Sequence, residues 1–350
     1  MENNNIRRSI SIISTQMQLI NCVETIHKLG CLHNDLIVYS ATLSTMNTIV
    51  ALLKTKSYGN IFQKVDIFFV DYTSIIDNFL IINKFKRYFS SIIDNNYNYC
   101  ISGNYRFDVY KYFIYRILKN NKNCIPFLID DGLAILNIAK VRLDDFAKKR
   151  WQVEYTSFVN KIILGSYSFN NYNLNKIIFN TIYNIIPSNN DEVVKQEYNY
   201  LINNALDFEF KDVDWSKYKA VFLGQPLVKH KYCTKEEYNS LIMKALNKFH
   251  NIIYIPHPAE DCMQLDDKIM RNVRIEKSRF CFEIIIASVP STVTICSFFT
   301  SVMPNIKQMG YKNPLISYYF DGINKLQEND KNTLMNVYKH LESLNISVIK

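Results

Sequence analysis

Glycine and proline are both scarce in this sequence, with 8 residues of each among 350. This scarcity excludes collagen-like chains and chains that consist mainly of flexible linker. No two glycines lie close enough to form a GxGxxG motif or a phosphate-binding P-loop. The sequence therefore disfavours dinucleotide-dependent oxidoreductases and Walker-type nucleotidases.

Signals for a metal site and for a membrane span are also missing. The 8 cysteines include no CxxC pair and have no histidine at metal-ligand spacing, so we expect reduced core thiols and no bound metal. The longest candidate span, residues 282–299, is interrupted by Glu283 and Pro290. The first residues show no signal-peptide pattern, and the sequence predicts a soluble, cytoplasmic protein.

The net charge of +9 indicates an anionic partner. Lysines are scattered along the chain and form no dense basic track, which argues against a nucleic-acid-binding face. Scattered lysines do predict a weak, salt-sensitive attraction to an anionic membrane surface.

Short apolar runs alternate with helical patterns over the first 132 residues. The run Ile125–Ile129 is one such strand, and residues 16–29 form a helical pattern that stops at Gly30. This repetition predicts a parallel sheet covered by helices on both faces. Residues 133–206 are predicted to be mostly helical and to lie outside the sheet.

A charged segment without periodicity, residues 207–219, predicts a domain boundary. We therefore expect an amino-terminal domain over residues 1–206 and a carboxy-terminal domain over residues 207–350. A second series of strands and helices begins at Ala220, and Thr234 has capping-box spacing to Glu237. The predicted fold class is α/β and GT-B-like, with two Rossmann-type domains facing a central cleft.

Polar residues follow the predicted strands at four places. In doubly wound sheets, ligands bind beyond the carboxyl ends of the strands. Each motif alone is also compatible with an ordinary turn or helix cap. Their occurrence at successive strand ends indicates a binding site. The motifs are Asp130-Asp131-Gly132, Gly224-Gln225-Pro226-Leu227, Pro256-His257-Pro258 and Thr300-Ser301.

In order and spacing, these motifs resemble those of the bacterial sialyltransferases that act on lipooligosaccharide, capsule and O-antigen. That family carries an acidic pair before glycine, an HP pair and a later pair of hydroxyl residues. The resemblance extends to residues 14–19 and 103–106. The hydroxyl pair departs from the family, since it reads Thr-Ser and not Ser-Ser or Ser-Thr. Ser291-Thr292 has the expected order but precedes its predicted strand, so we prefer Thr300-Ser301.

The resemblance implies an inverting sialyltransferase that uses CMP-sialic acid. The acceptor is expected to be a galactose-terminated bacterial surface glycan, carried by a lipid, and no further cofactor is needed. Asp131 would take the acceptor proton and His257 would stabilise the departing phosphate. The donor-binding candidates are Gly224, Gln225, Pro256, Pro258, Glu283, Thr300 and Ser301. The acceptor-side candidates are Thr15, Gln16, Asn104 and Asp130.

Several alternatives stay open at this level. Glu236 and Glu237 are rival bases, although helix capping explains them more simply, and His230 is a rival to His257. The enzyme could instead be a polysialyltransferase or a GT-B transferase that uses another nucleotide sugar. A non-catalytic nucleotide-binding or glycan-binding protein is the third class. The linkage and the oligomeric state, a homodimer included, are open.

Overall fold

The computed structural model describes residues 6–40, 42–70, 75–92, 96–104, 108–132, 134–136, 138–140, 142, 162–165, 174, 176–188, 190–204, 210, 212–257, 260 and 265–350. The chain divides into two compact units, Met1–Asn204 and Ala205–Lys350. Each unit contains one parallel sheet with helices between its strands, which makes each a Rossmann-like α/β domain.

The amino-terminal sheet has seven strands in the order β3-β2-β1-β4-β5-β6-β7. All of its pairings are parallel. The chain moves outward from β1 to β3 and then crosses back to β4, so the switch point of the topology lies between β1 and β4. The strands are β1 (Arg8–Ile13), β2 (His33–Ser40), β3 (Lys64–Phe69), β4 (Tyr99–Ser102), β5 (Ile125–Ile129), β6 (Ile178–Thr181) and β7 (Glu192–Lys195).

The helices of this domain follow local end signals. At the start of the first helix, Thr15 accepts a hydrogen bond from the backbone N–H of Gln18. At its end, Gly30 adopts φ 62°, a left-handed conformation that favours glycine, so the predicted stop is confirmed. The helices with both ends described are α1 (Gln16–Leu29), α2 (Leu43–Leu53), α3 (Lys56–Gly59), α4 (Ile75–Ser91), α5 (Asp108–Asn120) and α6 (Asn199–Asn203). Residues 134–136, 138–140 and 162–164 are also helical.

The prediction that residues 133–206 lie outside the sheet is wrong. Strands β6 and β7 extend the sheet there, and every residue of β6 is buried. β6 ends in Asn180 and Thr181, and β7 begins and ends with a charged residue, so neither segment is a continuous apolar run in the sequence. A buried ion pair anchors this part of the domain: Arg142 contacts both carboxylate oxygens of Asp191 at 2.8 Å, and Asp191 also accepts the N–H of Ile177.

The carboxy-terminal sheet has six parallel strands in the order β10-β9-β8-β11-β12-β13. Its switch point lies between β8 and β11. The strands are β8 (Ala220–Leu223), β9 (Ile252–Ile255), β10 (Val273–Ile275), β11 (Thr294–Ser297), β12 (Leu315–Tyr318) and β13 (Ser347–Ile349). The helices are α7 (Lys235–Phe249), α8 (Asp267–Met270), α9 (Phe282–Ile285), α10 (Val302–Gln308) and α11 (Glu328–Ser343), with 3₁₀ turns at Trp215–Lys217, Ile286–Ser288 and Asp321–Lys325.

The capping box predicted at Thr234 is confirmed. The Thr234 hydroxyl accepts the N–H of Glu237, and the Glu237 carboxylate accepts the N–H of Thr234. The seven cysteines that the structure describes are free thiols, six of them buried, and burial raises the pKa of Cys22 to about 12. In the part of the chain that the structure describes, no helix has the length and apolarity to cross a bilayer.

Candidate functional site

The first site lies at the switch point of the amino-terminal sheet, where β1 and β4 end side by side. Gln18 accepts the backbone N–H of Ser14 at 2.6 Å. Gly103 lies directly against this side chain, since a Cβ at position 103 would be 2.3 Å from Gln18 Oε1. A side chain at position 103 would displace Gln18, so the small size of glycine allows Gln18 to pack against the end of β4.

A carboxylate is fixed at the end of the next strand. The side-chain amide of Asn104 donates a hydrogen bond to Asp131 Oδ2 at 3.0 Å. Asn104 is buried and Asp131 is half-buried. The hydroxyl of Ser102 donates to the carbonyl of Asn104 at 2.5 Å, so the backbone that carries the amide is itself held. This part of the expected site is thus brought together at the carboxyl edge of the sheet.

Asp130 is the buried member of the acidic pair. Its Oδ2 accepts the backbone N–H of Ile182 at 2.9 Å, and its carbonyl accepts the Asn21 amide at 3.0 Å. Burial raises the pKa of Asp130 to about 7, against the opposing effect of hydrogen bonds from Thr181 and Ile182. These contacts fasten the turn on which Asp131 sits to the neighbouring β6 strand and to α1.

The remaining acceptor-side candidates begin α1 at the same edge. Thr15 is half-buried, and its hydroxyl caps the helix by accepting the Gln18 N–H at 3.2 Å. Gln16 is buried. Tyr105 and Arg106, which contributed to the resemblance, lie outside the described residues.

The second site lies at the switch point of the carboxy-terminal sheet. The side-chain amide of Gln225 makes two hydrogen bonds to the backbone of Phe299, each 3.1 Å long. Ser297 adds a hydrogen bond to the carbonyl of Leu223 at 2.7 Å. The ends of β8 and β11 are therefore joined by side chains. Gln225, predicted to bind donor, holds these strand ends together.

Glu260 is a central residue that sequence reasoning missed. Its Oε1 accepts hydrogen bonds from the hydroxyls of Tyr238, at 2.8 Å, and Tyr254. Its Oε2 accepts the backbone N–H of His257 at 3.0 Å, and its own N–H donates to the His257 carbonyl at 2.8 Å. A Cβ at Gly224 would lie 2.1 Å from Glu260 Oε2, so the carboxylate packs directly on the end of β8. Glu260 therefore ties the loop after β9 to the loop after β8.

His257 lies at this junction and its residue is exposed. Partial desolvation of the ring, together with the positive charges of His230 and Lys229, lowers the pKa of His257. The ring is therefore mainly neutral at pH 7 in the absence of a ligand. Pro256 is half-buried beside it, and Pro258 lies outside the described residues. His230, considered as a rival, lies close enough to contribute to this shift.

The other donor-side candidates have partners in the described structure. The Thr300 hydroxyl accepts the N–H of Val302 at 3.2 Å, as a cap would, and Ser301 immediately precedes α10. Glu283 is buried in the first turn of α9 and accepts the side-chain amide of Asn305 at 2.8 Å. Burial raises the pKa of Glu283, and the Asn305 hydrogen bond opposes the rise.

The carboxylate of Glu237, the rival base, has structural partners at the start of α7. Its carboxylate completes the capping box and contacts Lys325, and this contact lowers the pKa of Glu237. Glu236 is exposed in the same first turn. Among the residues that the structure describes, no group of three His, Cys, Asp or Glu side chains is arranged to hold a metal ion.

Comparison with known proteins identifies the fold. No protein family model and no curated protein matches the sequence. The solved structure of TcCGT1 in complex with UDP matches with a TM-score of 0.54 and 13% identity, over 98% of this chain and 86% of that one. A putative UDP-N-acetylglucosamine 2-epimerase from Listeria monocytogenes matches with a TM-score of 0.51 and 8% identity, over 97% and 88%.

At these identities the likeness establishes the fold and nothing finer. The chain is α/β, with two Rossmann-like parallel-sheet domains of the GT-B type, and this confirms the expected fold class. The comparisons give no support to the sialyltransferase family or to its motifs.

Proposed function

We propose that this protein is a glycosyltransferase that moves a sugar from a nucleotide donor to an acceptor hydroxyl. The observation that carries the proposal is the hydrogen bond from Asn104 to Asp131. It presents a half-buried, oriented carboxylate at the carboxyl edge of a switch-point sheet, where ligands bind in doubly wound folds. An oriented carboxylate is the group that a transfer to a hydroxyl requires as its base.

The reaction is a single displacement in which Asp131 acts as general base. The acceptor oxygen forms a bond to the anomeric carbon while the bond from that carbon to the phosphate oxygen breaks. The acceptor proton passes to Asp131, and the nucleotide leaves with the electron pair of the broken bond. The sugar changes its anomeric configuration because the acceptor enters opposite the departing phosphate.

A UDP-sugar is the donor that we favour. One similar structure contains UDP, and another is named for a UDP-sugar. CMP-sialic acid, implied by the resemblance of the sequence motifs, is the second donor to test. The transfer would then be to a terminal galactose of a surface glycan, and that acceptor rests on the resemblance alone.

The group formed by His257, His230 and Lys229 is suited to the leaving phosphate. The neutral His257 ring can donate a hydrogen bond to a phosphate oxygen. A bound phosphate adds negative charge beside the ring, which favours the imidazolium form and strengthens the contact as negative charge grows on the leaving group. Glu260 acts as a positioning residue, because it holds the backbone of His257 on one side and packs against Gly224 on the other.

We assign the other donor contacts to the same end of the carboxy-terminal sheet. Thr300 and Ser301 offer hydroxyls for phosphate oxygens. Glu283 is a candidate for the ribose hydroxyls, and its orientation is set by Asn305. Backbone groups around Gly224 and Pro256 are candidates for the base of the nucleotide.

A donor panel tests the proposal. The protein is incubated with UDP-sugars, GDP-sugars and CMP-sialic acid, with and without galactose-terminated oligosaccharides, and released nucleotide and product are measured. We expect nucleotide release from one donor class, accelerated by an acceptor. Conversion of a UDP-sugar to its epimer without transfer contradicts the proposal. Nucleotide binding without turnover of any donor favours the non-catalytic alternative.

A further inference from the structure

One face of α4 exposes three large apolar side chains. Ile76, Phe79 and Leu80 are exposed by 73%, 46% and 59%. Their spacing of three and four residues places them together on one side of the helix. Clustered apolar exposure of this kind marks an interaction site, whereas single exposed apolar residues do not.

The buried face of α4 keeps these three side chains on the outside of the domain. Ile82, Phe85 and Phe89 are fully buried in the core of the domain. Phe85 packs on Phe68 of β3 with 5.3 Å between the ring centroids. The helix cannot turn its outer apolar residues inward without removing these rings from the core.

Basic residues continue the same outer face. Lys84 and Arg87 follow Leu80 by four and seven residues, and both are exposed. With a rise of about 1.5 Å per residue, they lie roughly 6 and 10 Å farther along the helix axis. The sequence of α4 contains one acidic residue, Asp77, against Lys84, Lys86 and Arg87. The outer face is thus apolar at its start and cationic in its second half.

The apolar end of this face lies at the functional edge of the sheet. α4 follows the carboxyl end of β3, and all strands of this sheet are parallel, so its first turn and Asp131 belong to the same edge. The order β3-β2-β1-β4-β5 separates the ends of β3 and β5 by about 19 Å, at about 4.8 Å per strand. Leu43, which begins α2 at this edge, is also exposed.

We propose that the outer face of α4 docks on the surface of an anionic lipid bilayer. Ile76, Phe79 and Leu80 enter the boundary between headgroups and acyl chains, while Lys84 and Arg87 bind lipid phosphates. Interfacial helices bury an apolar face about 5–10 Å deep with cations at the headgroups. A second copy of the same face brings only Asp77 to balance the cations, whereas a layer of anionic headgroups neutralises them. The overall charge of +9 adds to the attraction.

Vesicle flotation of the full chain tests this proposal without any assay of transfer. The vesicles contain phosphatidylcholine with phosphatidylglycerol, or phosphatidylcholine alone, at low and high salt. The apolar variant combines Ile76→Ser, Phe79→Ser and Leu80→Ser, and the charge variant combines Lys84→Gln and Arg87→Gln. The matched control combines Ile186→Ser and Met270→Ser, two exposed apolar residues outside α4. Circular dichroism checks that all variants are folded.

We expect the wild type and the control to float with anionic vesicles at low salt. The charge variant should bind about fivefold more weakly for each cation removed. The apolar variant should lose at least about tenfold in affinity. Equal binding of the apolar variant and the wild type overturns the proposal, and so does equal binding to neutral vesicles. A self-association that the apolar variant abolishes, without vesicle binding by the wild type, assigns the face to a second copy and also overturns it.

Discussion

The side-chain amide of Asn104 and the carboxylate of Asp131 are 3.0 Å apart, and this hydrogen bond joins the ends of two neighbouring strands. Asn104 is buried, so its amide has a defined direction. A base that is held in one orientation is ready to accept a proton without first losing rotational freedom. The contact therefore has consequences for rate that can be separated from those for binding.

Replacing Asn104 with alanine should lower kcat by about tenfold and leave the acceptor KM within about twofold, because the variant keeps the base but loosens its orientation. The matched control is Asn121→Ala, which removes an amide that bonds the Tyr97 carbonyl near the amino ends of the strands. Steady-state kinetics measure kcat and the acceptor KM of both variants. An equal loss of kcat in the control would show that the loss comes from lower stability of the domain and not from the orientation of Asp131.

Gly224→Ala and Glu260→Gln should both disturb the position of the His257 backbone. A Cβ at position 224 displaces the Glu260 carboxylate, and the glutamine weakens the hydrogen bond to the His257 N–H. We expect each variant to lower kcat/KM by roughly two- to tenfold, since about 0.5–1.5 kcal/mol is a typical net hydrogen-bond contribution. The double variant should be little worse than either single one, because coupled residues are not additive. Fully additive losses contradict a shared role, and Glu342→Gln on the exposed surface of α11 is the control.

His257→Ala should lower turnover more than it weakens binding of the free nucleotide, since negative charge grows on the leaving phosphate in the transition state. His230→Ala, the neighbouring exposed histidine, should have the smaller effect on turnover. In the wild type, NMR titration should place the pKa of His257 below its ordinary value, with a rise when UDP binds. Equal losses in turnover and affinity would make His257 a binding residue only.

Asp130→Asn should change how stability depends on pH. The pKa of Asp130 is about 7 in the folded protein and about 4 in an unfolded chain, so the folded state holds an extra proton between these values. The contribution of this group to stability is complete below pH 4 and declines as the pH rises to 7. The free energy of unfolding of the asparagine variant, relative to that of the wild type, should therefore rise by up to about 4 kcal/mol between pH 4 and pH 7. Urea unfolding at several pH values measures this gain, and a constant difference contradicts it.

Much of the fold was predictable because local signals agree with the final structure. The apolar run Ile125–Ile129 is a strand in both. Gly30 marks a helix end through a left-handed backbone that favours glycine, and Thr234 marks a helix start through the hydrogen bond that its hydroxyl accepts. The strands β6 and β7 were not predicted, since polar residues interrupt both short segments, and their pairing depends on neighbours distant in sequence.

The placement of the candidate residues at strand ends was predictable, but their contacts were not. Asp131 and His257 were found because they follow strands. Glu260 follows His257 by three residues in a loop, and its hydroxyl partners Tyr238 and Tyr254 look like ordinary core aromatics in the sequence. Only the folded loop shows that Gly224 must be small to admit this carboxylate. The nature of the donor depends on shape at the binding site, which no motif in the sequence specifies.

The transfer rate of Asp131→Asn, measured with the donor that the wild type uses, tests the central claim most directly. Asparagine preserves the size of the side chain but cannot accept the proton as a carboxylate does. We expect normal folding and nucleotide affinity, with transfer reduced by about 10²–10⁴-fold. Glu237→Gln, measured in parallel, should retain transfer. Transfer at the wild-type rate by Asp131→Asn would contradict the account, and its loss in Glu237→Gln would move the base to the start of α7.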